Sequence, residues 1–374
     1  DTTLGGDDGI AVAMALALMD SNDIPHPPVE VVFTVDEELG MDGAEAIDLS
    51  VLKGKKLINI DSEEERTLTV GCAGGVRYQS LIPVEKETVS GEKIEIQIKG
   101  LLGGHSGEEI HRQRGNANKM MGRLLYHMES EAEIYLSEIY GGSKDNVIAM
   151  EAVASIVVAE NDAEKIVSMI RDMEAIWNTE FMGEEPGLTV NVQTTKEKDI
   201  EVFSKDTTKR VVGFLAACPN GLQEYSRKVA GAAETSLNLG TVEMKENGVE
   251  AAFLIRSSVD SRKQQILEQV DAVTKAFGGT GTISSTYPAW QYNPDSQLRP
   301  IMEAAYKEVY KKDPEICIIH GGLECGLFLG KRPDLDCVSC GPDVLDIHSF
   351  NERLDIASTQ RSWEFLKLVL KNCK

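Results

Sequence analysis

The sequence predicts an α/β protein, a doubly wound parallel sheet interrupted by a second, α+β unit. Three observations point there. At both ends of the chain short β-branched runs alternate with helical stretches, at residues 29–35, 56–60, 316–319 and 336–340. Such runs are the pattern of strands buried on both faces, and helix-separated strands argue a parallel sheet. In the middle, residues 92–99 (Glu-Lys-Ile-Glu-Ile-Gln-Ile-Lys) alternate polar and apolar, the mark of a half-exposed strand. The length of 374 residues accommodates two domains or one domain with a large insertion.

In chain order, residues 10–19 are an alanine-rich apolar run that reads as a buried helix, with Asp7 and Asp8 at its N-terminus. Aspartate caps helices well, so one of the pair can cap while the other binds a ligand. A proline-rich loop holds His26, read as exposed. The strand 29–35 follows and ends in Asp36-Glu37-Glu38. Three adjacent acids repel one another and need a cation to be tolerable. In isolation such a triplet reads as a solvated loop. A helix over 42–52 and a strand over 56–60 follow, and that strand ends in Asp61 with three glutamates close behind. Two helix-separated strands thus deliver carboxylates at their C-terminal ends, where ligands bind in parallel sheets. That coincidence favours a metal site over a solvated loop.

Residues 72–75 read as a hinge. Beyond it, a Gly-flanked His105 precedes a helix over 114–130, and strand and helix signals alternate through 147–158, 163–181, 188–194, 207–218, 249–257 and 261–277. Residues 77–284 are therefore expected to form the inserted unit, with 1–76 and 285–374 as the discontinuous first domain. The last third carries helices over 302–310 and 363–370 and strands ending near His320-Gly321-Gly322-Leu323-Glu324 and Gly341-Pro342-Asp343, with His348 just beyond.

The net charge of -23 and pI of about 4.7 argue against nucleic acid and anionic membrane surfaces as partners. No apolar run approaches 20 residues, so no membrane span is expected. The seven cysteines lack scaffold spacing. Cys337 and Cys340 form a C-x-x-C within a strand-like run, where alternation sends the thiols to different faces. They read as buried reduced thiols of a cytoplasmic protein.

The groups gathered at strand ends and helix starts are Asp7, Glu37, Glu38, Asp61 and His348. Carboxylates with a histidine make a hydrolytic metal site, and of two adjacent glutamates one can bind metal while the other acts as general base. Leu4-Gly5-Gly6-Asp7-Asp8-Gly9, residues 34–41 around Asp36-Glu37-Glu38, Asn59-Ile60-Asp61-Ser62-Glu63 and Gly103-Gly104-His105-Ser106-Gly107 resemble the di-zinc metallopeptidases that include carnosinases, carboxypeptidase G and acetylornithine deacetylase. Ile110-His111, Arg114-Gly115-Asn116-Ala117 and the stretch from His320 to Gly326 are most similar to the bacterial aminoacyl-histidine dipeptidases within that family.

The resemblance implies a phosphorylase/hydrolase-like zinc-peptidase domain with an inserted α+β lid. It implies two divalent metal ions, zinc with cobalt or manganese as substitutes, and hydrolysis of dipeptides, Xaa-His and others. Carried over, Asp7 bridges the metals, Glu38 and Asp61 bind one each, His348 is the C-terminal metal histidine and Glu37 the general base. His105 reaches the partner subunit's site in a homodimer formed through the lid. Asn146, Arg256 and Gly322 hold substrate, while His111, His127 and His320 are left structural. The family's upstream His-x-Asp motif has no counterpart before Asp7 or elsewhere in these residues. On that pattern the chain as given is expected to bind metal weakly and to be a poor catalyst, or to be part of a longer enzyme. The alternatives are an amidohydrolase or deacetylase of the same family, and a catalytically incomplete dimeric binding module.

Overall fold

The computed structural model describes residues 2–374. Two sheets organise it. A four-stranded sheet takes its strands from both ends of the chain: Lys56–Asn59, Asp336–Ser339, Thr67–Cys72 and Glu315–Ile319, in that spatial order. Its outer pairs are parallel, while Asp336–Ser339 meets Thr67–Cys72 antiparallel. Successive residues of one strand serve opposite layers. Val338 packs with Met302, Tyr306 and Phe365 of the helices Leu298–Tyr310 and Ile356–Asn372. Cys337 packs with Ala44, Cys325 and Phe328 on the other face. This two-sided burial makes the flanking strands read as continuous apolar runs. It also separates Cys337 from Cys340, which lies in the first of these clusters. All seven cysteines are free.

Between Cys72 and Gly74 the chain leaves this sheet and enters a second, nine-stranded one built from residues 74–287. Its pairs are antiparallel. Ile94, Ile96 and Ile98 of the long strand Lys86–Lys99 are fully buried, and they join the large core formed with the helices Ala117–Glu129, Ala163–Glu180, Lys205–Ala217 and Asp260–Ala276. The alternation expected for 92–99 is thus the alternation of core and outer face.

Several expectations need correction. Residues 29–35 form no strand, because among the described residues they enter no ladder, and Phe33 and Val35 stay exposed. A β-branched run favours extended backbone, but a strand needs a partner for its N–H and C=O groups. The helix Gly6–Asp20 is not buried on most sides. Met14 and Leu18, one turn apart, face the core, while Leu16 and Met19 face outward. The expected helix over 42–52 is a short helix Asp42–Ala46 followed by a single tight turn at Leu49–Val51.

Ile96 is fully buried and Glu95 on the same strand is exposed. Ile96→Ala is therefore expected to lower unfolding free energy by about 2–5 kcal/mol, and Glu95→Ala by no more than about 0.5 kcal/mol. Denaturant titration of the two variants checks the assignment of faces.

Candidate metal centre

Three side chains from distant parts of the chain converge on one point. The Nε2 of His348 lies 2.9 Å from Glu38 Oε2 and 3.4 Å from Asp7 Oδ2. One ligand atom from each of Asp7, Glu38 and His348 can be chosen so that all lie within 4.8 Å of one another. Two carboxylates and an imidazole at that separation fit a divalent cation of the zinc type, which accepts nitrogen and oxygen donors together.

Each ligand is placed by local backbone geometry. Asp7 sits where the chain enters its first helix, at angles that are not yet helical. Glu37 and Glu38 open a single turn, Glu37–Gly40, entered through Asp36 and left through Met41, both at positive φ. Consecutive residues of such a turn point about 100° apart, so the two glutamates diverge. His348, also at positive φ, stands in the loop between the two short paired strands Val344–Leu345 and Arg353–Leu354. This hairpin is tied to the stretch after Asp61: Val344 N donates to Glu63 O, and Glu65 N donates to Asp343 Oδ1.

Asp61 is not within the three-residue group, but it faces the same carboxylates from a half-buried position. Burial, then the charges of Asp8, Glu37, Asp7 and Glu324, push its carboxyl up to about 9. The same two causes act on its neighbours. Burial and then Glu38, Glu324, Asp7 and Asp8 push Glu37 up to about 7. Burial and then Asp7, Glu324 and Glu38 push Asp8 up to about 6. Glu63 is raised by burial and then by Asp7. The protein thus concentrates negative charge where it is hardest to hold, the arrangement a cation would relieve.

The remaining candidates lie on the nine-stranded sheet and its border. Arg256 is buried, and its Nη1 donates to the Tyr287 hydroxyl at 3.0 Å. Gly322 lies between the two regions: a Cβ there would stand 3.0 Å from the Tyr287 ring and 3.2 Å from the Met41 side chain. His105 follows Gly103 and Gly104, both at positive φ, and its Nδ1 accepts from Glu108 N at 3.3 Å. Burial first, and then Arg256, lower its pKa. Asn146 contributes its backbone carbonyl, which accepts from Ser106 N at 2.9 Å and so holds the His105 loop. His320 is buried against Ser236 with Nε2 2.7 Å from the hydroxyl, and burial followed by Arg256 pushes its pKa down to about 3.

Sequence reasoning passed over Glu324 and Glu352. Glu324 is buried, with one carboxylate oxygen lacking a hydrogen-bond partner, and it adds its charge to Asp8, Glu37 and Asp61. Its sequence signal is its place at the end of the stretch 320–324 after a strand, which by itself assigns it no role. Glu352 has none, since its partners lie at the other end of the chain. A separate cavity of about 810 Å³, lined by Arg114, Lys119, Arg123, Trp177 and Phe277 among others, shares no residue with this cluster.

A mixed α/β scaffold that presents clustered carboxylates and one imidazole beside a sheet edge defines a metal-dependent hydrolase. The chain belongs to peptidase family M20/M25/M40, whose family model matches residues 5–372. It is 37% identical over 372 residues to the cytosol non-specific dipeptidase of Escherichia coli strain K12, covering 99% of this chain and 76% of that protein. The crystal structure of aminoacylhistidine dipeptidase from Vibrio alginolyticus superposes with a TM-score of 0.91 at 36% identity, over 99% of this chain and 76% of that one.

The clustered charge makes a signed prediction. Asp61 keeps its proton in the fold to about pH 9, whereas an unperturbed aspartate loses it near 3.8. Between those values the folded state binds the extra proton, so stability falls as pH rises. In metal-free protein the melting temperature of Asp61→Asn minus that of wild type is expected to grow from pH 5 to pH 9 and then level. A pH series of thermal melts with chelator present measures it, and a flat difference would show that Asp61 is not held protonated.

Proposed function

We propose that the protein hydrolyses dipeptides, with Xaa-His among its substrates, at a divalent metal centre held by Asp7, Glu38, Asp61 and His348. The observation that carries the reading is the convergence of Asp7, Glu38 and His348 within 4.8 Å from positions spread over nearly the whole chain. The names borne by the Escherichia coli and Vibrio relatives supply the substrate class. A bound pair of zinc ions, with cobalt or manganese as substitutes, supplies Lewis-acid polarisation of the scissile carbonyl and acidifies the attacking water.

The chain's own groups do the rest. Glu37 stands beside Glu38 without belonging to the ligand group, which leaves its carboxylate free to act as general base. It takes the proton of the attacking water and delivers it to the leaving amine. Arg256 is buried and has one guanidinium nitrogen, Nε, without a hydrogen-bond partner. A guanidinium fork binds the substrate's terminal carboxylate bidentately. Gly322 puts no side chain between the Tyr287 ring and Met41, and Asn146 holds the loop of His105. His105, held neutral by burial and Arg256, offers an N–H to the carbonyl oxygen as it gains charge.

We place this enzyme in the cytoplasm as a homodimer formed through residues 77–284, the lid, with residues 1–76 and 285–374 forming the catalytic domain. No helix among the described residues is long and apolar enough to cross a membrane, and the Escherichia coli relative is called cytosolic.

Three experiments test the reading. In the full-length protein Glu37→Gln is expected to cost about 10²–10⁴ in turnover with metal content near normal, while Glu38→Ala loses metal. Equal metal loss in both would show the pair divided wrongly, and N-acetylated amino acids turning over faster than dipeptides would favour a deacetylase. Mixing His105→Ala chains with Glu37→Ala chains is expected to restore activity, because one site of each mixed dimer is then intact. No recovery in verified mixed dimers would place His105 in its own subunit's site.

A further inference from the structure

Glu352 stands four residues beyond His348 and reaches to the opposite end of the chain. Its carboxylate accepts from the backbone N–H of Gly6 at 2.6 Å, and from those of Gly5 and Asp7 at 3.2 Å each. The side chain is buried, with 9% of the residue exposed. The loop it grips leads into the helix Gly6–Asp20, where Gly5 offers no capping side chain and Asp7 and Asp8 are not yet helical. These N–H groups therefore lie outside the regular helical ladder, and a carboxylate satisfies them well. Gly5 adopts φ 75°, and a Cβ on Gly6 would stand 3.2 Å from Glu352 Oε1. Glycine at residue 6 therefore leaves the carboxylate its place.

The segment joining Glu352 to His348 is itself braced. Ser349 Oγ donates to Asp346 O at 2.6 Å, Asn351 N donates to Ser349 Oγ at 3.1 Å, and Glu352 N donates to Ser349 O at 3.3 Å. One short, internally bonded turn thus presents an imidazole at one end and a backbone-gripping carboxylate at the other. The imidazole faces the Asp7 side chain and the carboxylate holds the Asp7 main chain. The acidic cluster opposes this approach, since Glu352 brings a further negative charge beside Asp7. Three N–H donors aimed at it offset that repulsion.

We propose that Glu352 is a positioning residue for the metal centre: it fixes the Gly5-Gly6-Asp7 backbone to the turn that carries His348, so that the Asp7 and His348 ligand atoms are held in register before a cation binds. The proposal rests on the metal-site reading above. It concerns groups that orient the ligands without touching the metal, and removing such groups costs about 10–100-fold in metal affinity in known sites. Preorganisation is the cause. Without the clamp, binding must also order a glycine-rich loop.

The test uses the full-length protein and two readouts independent of turnover. One is the zinc dissociation constant from chelator competition. The other is amide hydrogen exchange of residues 4–9 in metal-free protein. Glu352→Ala is expected to weaken zinc binding about 10–100-fold and to speed exchange in that segment. Glu352→Gln, which keeps the length and one acceptor oxygen, is expected to recover part of both. Met302→Ala, in the core behind the four-stranded sheet, is expected to lower the melting temperature and leave both unchanged. Unchanged zinc affinity and exchange in folded Glu352→Ala would overturn the proposal, and if that variant does not fold the same result in Glu352→Gln would do so. Equal zinc loss in Met302→Ala at a matched drop in melting temperature would also overturn it, by reducing the effect to general stability. Asp7→Ala and His348→Ala separate the two readings: if they retain zinc the metal site itself fails, and if they lose it while the Glu352 variants do not, only the clamp fails.

Discussion

The structure depends on a repulsion. Asp7, Asp8, Glu37, Glu38, Asp61 and Glu324 face one another closely enough that each of Asp8, Glu37 and Asp61 is raised by several of the others. Among the described residues, the only side-chain cation in direct contact, when protonated, is His348. A fold selected for stability alone would spread these acids over the surface, where repulsion is screened and costs little. Here they are drawn from four separate stretches and partly buried. Concentrating them makes physical sense when a multivalent cation is the partner that completes the set.

Bringing such groups together is a task for the sheet, whose strands come from both ends of the chain. Lys56–Asn59 leads to Asp61, and its parallel neighbour Asp336–Ser339 leads to the hairpin of His348. Parallel neighbours finish at the same edge, so the residues after them meet without any long excursion. The backbone then fixes them locally. Cys340 O accepts from Ser62 N, and Glu63 O accepts from Val344 N, so the two exits are stitched together. The candidate ligands Asp61 and His348 are thus held by main-chain bonds one to four residues away.

How far the sequence discloses this depends on whether a residue's neighbours are local. The helices Ala163–Glu180 and Asp260–Ala276 and the strand Gly248–Ser257 fall where their own patterns place them, because each signals through its own spacing. The strands Thr67–Cys72 and Thr280–Tyr287 escape because their pairing partners lie far off in sequence, while Ile134–Gly141 and Ala233–Lys245, which pair with the next strand along the chain, escape because their composition is mixed. Residues 29–35 mislead for the opposite reason: their composition favours a strand, yet pairing is decided elsewhere. The same division holds at the site. Asp7, Glu38 and His348 stand at signalled strand ends or helix starts, and they meet. Glu324 and Glu352 matter through contacts over long separations, which no local pattern encodes.

The border between the two sheets adds the last constraint. Arg256 pairs in register with Ser236, and Ser236 bonds His320, which begins the loop that runs through Gly322 to the helix starting at Glu324. That loop therefore touches the nine-stranded sheet at His320 and the acidic cluster at Glu324, five residues in all from one to the other. Gly107 comes close to the same place, where a Cβ would stand 2.7 Å from the His320 carbonyl. Glycine at 107 and at 322 leaves room where a side chain would collide, at 107 with the His320 carbonyl and at 322 with the Tyr287 ring and Met41. Tyr287 in turn accepts from Arg256, so the seating of this loop against the nine-stranded sheet depends on two positions without side chains.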